Sequence, residues 1–110
     1  MISRKFDVEI LRKAIQSKNI TWRKHVLERI LQRQIMQKHV LDVILKGECI
    51  KEYDDDKPYP SGLFLGFIKE EPIHVVASVD ELNNEAFIIT AYKPSLDVFN
   101  TDYRSRRIEK

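Results

Sequence analysis

Glycine and cysteine are scarce in this chain. Three glycines among 110 residues cannot build a glycine-rich phosphate cradle. Neither a phosphate loop ending in Gly-Lys-Ser nor a dinucleotide glycine fingerprint occurs. The one cysteine, Cys49, excludes an internal disulfide and a cysteine zinc cluster. The three histidines include no His-Glu-x-x-His frame, and no serine sits in a Gly-x-Ser-x-Gly elbow. These absences leave no expected metal or cofactor. No apolar run approaches the ~20 residues that cross a bilayer. Met1-Ile2-Ser3-Arg4-Lys5 leads into a mixed polar pattern rather than an apolar signal core. The expectation is a cytoplasmic protein without membrane association.

What is present fits one domain over residues 1–110, since a 43% hydrophobic content is too apolar for a disordered chain. The net charge of +2 conceals an asymmetry. Residues 1–47 carry +7, residues 48–103 carry −8, and the tail 104–110 carries +3. A basic half and a basic tail suit a polyanion. The same asymmetry also serves attraction between the two halves within the fold.

Hydrophobic spacing divides the chain at Gly47. Phe6, Ile10, Leu11, Ala14 and Ile15 form one apolar stripe, which predicts a helix over about residues 4–17. Thr21 is the expected N-cap of a second helix reaching Gln34, with Val26, Leu27, Ile30 and Leu31 as its apolar arc. Val40, Leu41, Ile44 and Leu45 predict a third helix, ended by Gly47 as a left-handed stop. Strands follow at Cys49 to Tyr53, Leu63 to Lys69, Ile73 to Val79 and Ala86 to Lys93. Leu63, Leu65 and Phe67 share one face of the second of these. Short links between strands predict an antiparallel meander. The expected fold is α+β, with N-terminal helices on a four-stranded antiparallel sheet. Asp97 to Tyr103 is expected to add a turn of helix, and Arg104 to Lys110 a loose tail.

Several side chains are candidates for chemistry. His25, Arg29 and Arg33 lie four residues apart, so they climb one face of the second helix beside its apolar arc. Guanidiniums grip phosphate oxygens through paired donors, and histidine exchanges protons near neutral pH. The stripe equally reads as a solvated helix edge. His74 points away from Ile73 and Val75, and it meets Tyr92 on one face if even positions pair with even positions across the hairpin. A one-residue slip would separate them. His39 reads as a surface residue. Asp54-Asp55-Asp56 lacks further ligands at a calcium-loop spacing and reads as a solvated turn. Arg104, Arg106 and Arg107 are candidate phosphate contacts, or serve only to keep the tail soluble.

Five segments in order resemble a bacterial family of unknown function. Thr21 to Ile30 resembles its T-x-x-H-A-x-x-R-M opening, and Val40 to Tyr53 its V-x-x-V-L-x-G-E-x-I-x-x-Y segment. Asp54 to Gly66 is similar to its D-D-K-P-Y-P-S-x-L-x-L-G stretch. Pro72 to Val76 and Ile88 to Tyr92 resemble its P-L-H-V-V and I-T-A-Y strands. The family is similar to RelE/BrnT-like toxins, whose genes often stand beside a YgiT/MqsA-type zinc-finger antitoxin. The resemblance implies a metal-free ribonuclease toxin with RNA and a cognate antitoxin as partners. It covers about residues 20–107. Where the family often has Gly-Arg before Pro-Leu-His, this chain has Glu70-Glu71, whose carboxylates repel RNA.

Two functions are therefore expected. The first is a metal-independent endoribonuclease using the RNA's 2′-hydroxyl, with His25 and His74 as base and acid in unassigned order. Arg29, and after it Arg33, would stabilise the transition state, Tyr92 would orient a histidine or donate to phosphate, and Arg33, Arg104, Arg106 and Arg107 would bind RNA. The second is a non-catalytic binding module for a protein or RNA. A seam between the two halves, holding His25, Arg29, His74 and Tyr92 in one exposed cleft, favours the first. Buried, separated histidines favour the second.

Overall fold

A computed structural model describes residues 5–95 and 102–104. Helix α1 covers Val8–Gln16, strand β1 Ile20–Trp22, helix α2 Lys24–Gln32 and helix α3 Gln37–Lys46. Strands β2 (Glu48–Tyr53), β3 (Ser61–Ile68), β4 (Glu71–Asp80) and β5 (Glu85–Tyr92) follow. The fold is α+β. Among the described residues, three helices lie with a five-stranded mixed sheet of order β1-β5-β4-β3-β2.

The expected meander is present in β2 to β5, each strand antiparallel to the next. The sheet is not wholly antiparallel, however, because β1 pairs in parallel with β5, Ile20 opposite Ala86 and Trp22 opposite Ile88. Thr21 is accordingly a strand residue rather than a helix cap. Its hydroxyl bonds the Glu85 carboxylate, and α2 starts at Lys24 with Arg23 in the cap position and no side-chain cap bond. Asn19 fastens the pairing. Its carbonyl accepts from the Ala86 N–H at 2.9 Å, and its side-chain amide donates to the carbonyls of Asn83 and Asn84 at 3.1 and 2.7 Å.

Helix α1 begins where Asp7 accepts the Ile10 N–H at 3.1 Å, the usual relief for an orphan first-turn amide. Arg12 on its flank donates to the carbonyls of Ile44 and Gly47, both at 2.9 Å. That capping satisfies the end of α3 and ties the two helices together. Gly47 is extended, at φ −81° and ψ −169°, so the left-handed stop is not formed. Glycine stands there for space: a Cβ would lie 2.3 Å from the Val43 carbonyl oxygen and 2.5 Å from that of Leu65.

The three helices cover one face of the sheet. Leu11, Ala14 and Ile15 of α1, Val26 and Ile30 of α2, and Val40, Val43 and Ile44 of α3 form one core with Phe64, Ile73, Val75, Ala77, Ile88 and Ala91. Leu63, Leu65 and Phe67 do share a face, but it is the one turned from the helices. Leu65 sits opposite His74, whose neighbours Ile73 and Val75 point into the core. Leu63 and Leu65 are nevertheless buried, while Phe67 is exposed.

Candidate functional site

A β-bulge builds the site. Near the hairpin tip Ala77 pairs with Ile88 and Val79 with Ala86, while at its base Val76 pairs with Thr90 and His74 with Tyr92. One extra residue, Ile89, therefore lies between the two registers. Were Ile89 taken into an unbroken ladder, His74 would face Ala91. With it bulged out, Ile88 and Ala91 both reach the core, and Tyr92 turns to the helix-free face beside His74.

His74 Nδ1 lies 3.2 Å from the Tyr92 hydroxyl, with the rings edge to face at 5.3 Å. His74 Nε2 lies 2.6 Å from the backbone carbonyl oxygen of Tyr103. A carbonyl only accepts, so Nε2 carries the proton; in the neutral ring Nδ1 is then the acceptor and Tyr92 donates to it. Burial pushes the His74 pKa below its ordinary value, against an opposing pull from the Tyr103 carbonyl. His74 is therefore neutral at physiological pH, with its tautomer fixed. The imidazole is fully buried, whereas Tyr92 is half-buried. The Tyr103 ring meets Phe67 edge-on at 6.3 Å, and Arg104 pairs with Glu48 of β2.

The expected residues divide between two places. His74, Tyr92 and the segment bearing Arg104 meet on the helix-free face. His25 is 81% exposed on α2, where a Glu28 carboxylate oxygen lies 3.9 Å from its Nδ1. Arg29 is exposed on the same helix. Because Val26 and Ile30 seat α2 on the opposite face of the sheet, the seam that would have united His25 and Arg29 with His74 is not formed. Arg33 is the link between them. It leaves the end of α2 and donates to the Ala91 carbonyl at 2.8 Å, beyond the end of β1 and next to Tyr92 in the chain. Arg106 and Arg107 lie outside the described residues, as does most of the expected turn at 97–103. His39 is half-buried rather than a plain surface residue.

Spacing gave no sign of Tyr103, because it acts through a backbone carbonyl. A second polar cluster went equally unmarked. Asp80 accepts from the Asn83 side chain at 2.7 Å, from the Leu82 N–H at 3.1 Å and from the Tyr59 hydroxyl. The Asn83 bond comes first among the causes that hold its carboxyl below the usual range. Tyr59 also stacks on Phe87, at 5.6 Å and 14°. Asp54 and Asp56 are used within the fold, accepting from the Phe6 N–H and the Ser61 hydroxyl. Among the described residues, no group of three or more His, Cys, Asp or Glu is placed to hold a metal ion. No described helix is long and apolar enough to cross a membrane.

Comparison with curated proteins returns no match, and neither does comparison with solved structures. A family model does match, over residues 22–93, a span that takes in α2, α3, all of β2 to β5, His74 and Tyr92. The chain thus belongs to a family described as a domain of unknown function, DUF4258.

Proposed function

We propose that this chain is the RNA-directed toxin of a toxin–antitoxin pair, of RelE/BrnT-like kind. In this reading it is a metal-independent endoribonuclease whose chemical centre is the Tyr92–His74 pair. The observation that carries it is a neutral, tautomer-fixed histidine accepting a hydrogen bond from a half-buried tyrosine. Tyr92 is the member nearer solvent, so it meets the reacting 2′-hydroxyl, with Nδ1 of His74 behind it. The RNA 2′-oxygen attacks phosphorus while its proton passes to the Tyr92 oxygen, and the tyrosine's own proton passes to His74 Nδ1. The bond from phosphorus to the 5′-oxygen breaks, and that oxygen takes a proton from water. The products are a cyclic 2′,3′-phosphate and a 5′-hydroxyl. Roles assigned on sequence to His25 and Arg29 become phosphate binding, since both sit on α2.

The His25, Arg29, Arg33 stripe supports the RNA part of the reading. With exposed Arg23 and Lys24 it forms a basic track along α2 that ends at the carbonyl beside Tyr92. Such a track supplies salt-dependent, sequence-independent affinity. The partner in this reading is a cognate antitoxin, of zinc-finger type by resemblance. RNA cleavage by purified protein in excess chelator tests the proposal. Wild type should yield cyclic phosphate ends, Tyr92→Phe should lose at least tenfold in rate, and Arg29→Ala should weaken binding more than turnover. Equal rates in wild type and Tyr92→Phe would sink it.

A second reading, a module that binds RNA or protein without chemistry, is favoured by the complete burial of His74. A gel shift with intact RNA recovered afterwards is its signature.

A further inference from the structure

We propose that the carbonyl oxygen of Tyr103 occupies a phosphate-oxygen subsite at His74 Nε2, and that residues 102–104 are a latch which RNA displaces. The inference rests on the reading of the chain as RNA-directed. His74 lies on the face that the helices leave uncovered, yet its side chain has no solvent exposure. Part of what closes it is the Tyr103 backbone, through the 2.6 Å bond. The group delivered to the imidazole N–H is an oxygen acceptor. A non-bridging oxygen of a phosphodiester has the same requirement and adds a negative charge, which strengthens the bond.

The latch is held by contacts suited to release. Phe67, which touches the Tyr103 ring, is 56% exposed. The Arg104–Glu48 pair is about half exposed on both sides, so water competes for each partner. Tyr103 itself has φ 58°, in the left-handed region that a tyrosine rarely adopts. The three anchors stand on three different strands: Glu48 on β2, Phe67 on β3 and His74 on β4. When the segment lifts, Arg104 loses Glu48 and becomes available to the incoming phosphate. One movement thus opens the acceptor position and supplies the cation for it.

The test is histidine modification by diethyl pyrocarbonate on the full chain, located by mass spectrometry. Exposed His25 is the internal reference. In wild type, His74 should react at least tenfold more slowly than His25. In Glu48→Ala/Phe67→Ala, which keeps Arg104 and alters only surface anchors, His74 should react at least fivefold faster than in wild type. A saturating single-stranded RNA oligonucleotide should then restore its protection. Arg104→Ala alone is the second variant and should raise reactivity in the same direction. Unchanged His74 reactivity in both variants, with native circular dichroism, would overturn the latch. A rise that bound RNA does not suppress would overturn the subsite. A chain that never shifts RNA in a gel defeats the proposed function and with it the subsite. That failure is distinct from a failed latch, because the latch is read without RNA.

Discussion

Tyr92 donates its hydroxyl proton to Nδ1 of His74 across the β4–β5 ladder, and the two side chains meet because Ile89 is bulged out of that ladder. A change of register in the middle of a hairpin therefore has a chemical consequence at its base.

Deleting Ile89 should regularise the ladder and leave Tyr92 opposite His74, whereas inserting one alanine between Thr90 and Ala91 should break the pair. In the insertion variant His74 would face Ala91, and Tyr92 would turn toward the helices opposite Ile73, which is 3% exposed. Overpacking of this kind costs about 1–3 kcal/mol. Urea denaturation of the insertion variant should show that loss, and the aromatic resonances of His74 and Tyr92 should lose their mutual nuclear Overhauser effects. An insertion variant of wild-type stability that keeps those effects would mean that the register does not set the pair.

Gly47→Ala should destabilise the chain at the join of α3 and β3. The new methyl would meet two backbone carbonyl oxygens, of Val43 and Leu65, at 2.3 and 2.5 Å. Neither is the end of a flexible side chain, so α3 must shift from β3. A loss of about 1–3 kcal/mol is expected on denaturation, with amide shift changes centred on Val43, Leu65 and its ladder partner His74. A neutral result would place the constraint elsewhere.

Acid should weaken the fold through His74. Its pKa in the folded chain lies below the ordinary 6.5, because burial opposes the charged ring. Below pH 6.5 the unfolded chain therefore binds more protons than the native one. Stability falls as pH drops from 6.5 through the lower folded value, and this contribution is fully lost beneath it. Thermal melts between pH 7.5 and 5 should decline in wild type and in His25→Gln, and decline less in His74→Gln. Parallel slopes in all three would exclude His74 as the source.

Much of the fold is legible in the residues. The change of period at Gly47, the three helical stripes and the four later strands all follow from spacing. β1 is not legible, because Ile20-Thr21-Trp22 is too short to show alternation and its partner lies more than sixty residues away. The choice of face misleads for a related reason. Leu63 and Leu65 are buried on the helix-free side, so apolar alternation alone does not tell which side meets the helices. Spacing alone therefore allows His25 and His74 to share a seam, whereas Phe64, with both neighbours pointing the other way, is the residue that faces the core. The His74–Tyr92 pairing is legible as a register condition. The bulge that satisfies it is hidden, since Ile88-Ile89-Thr90-Ala91 carries no glycine or proline to mark an extra residue.

The parallel pairing of β1 with β5 also bears on how the molecule comes into being. Ile20 to Trp22 leave the ribosome before β2 to β5, but their ladder partner among the described residues, Ala86 to Ile88, lies in the last strand of that meander to be made. The β2–β5 meander has sequential partners and can assemble as it emerges, while the first strand waits. Long-range closure of this kind is slow relative to local pairing. The Tyr92 side of the hairpin is made later still, so the His74–Tyr92 pair closes after the earlier strands of the meander have been made.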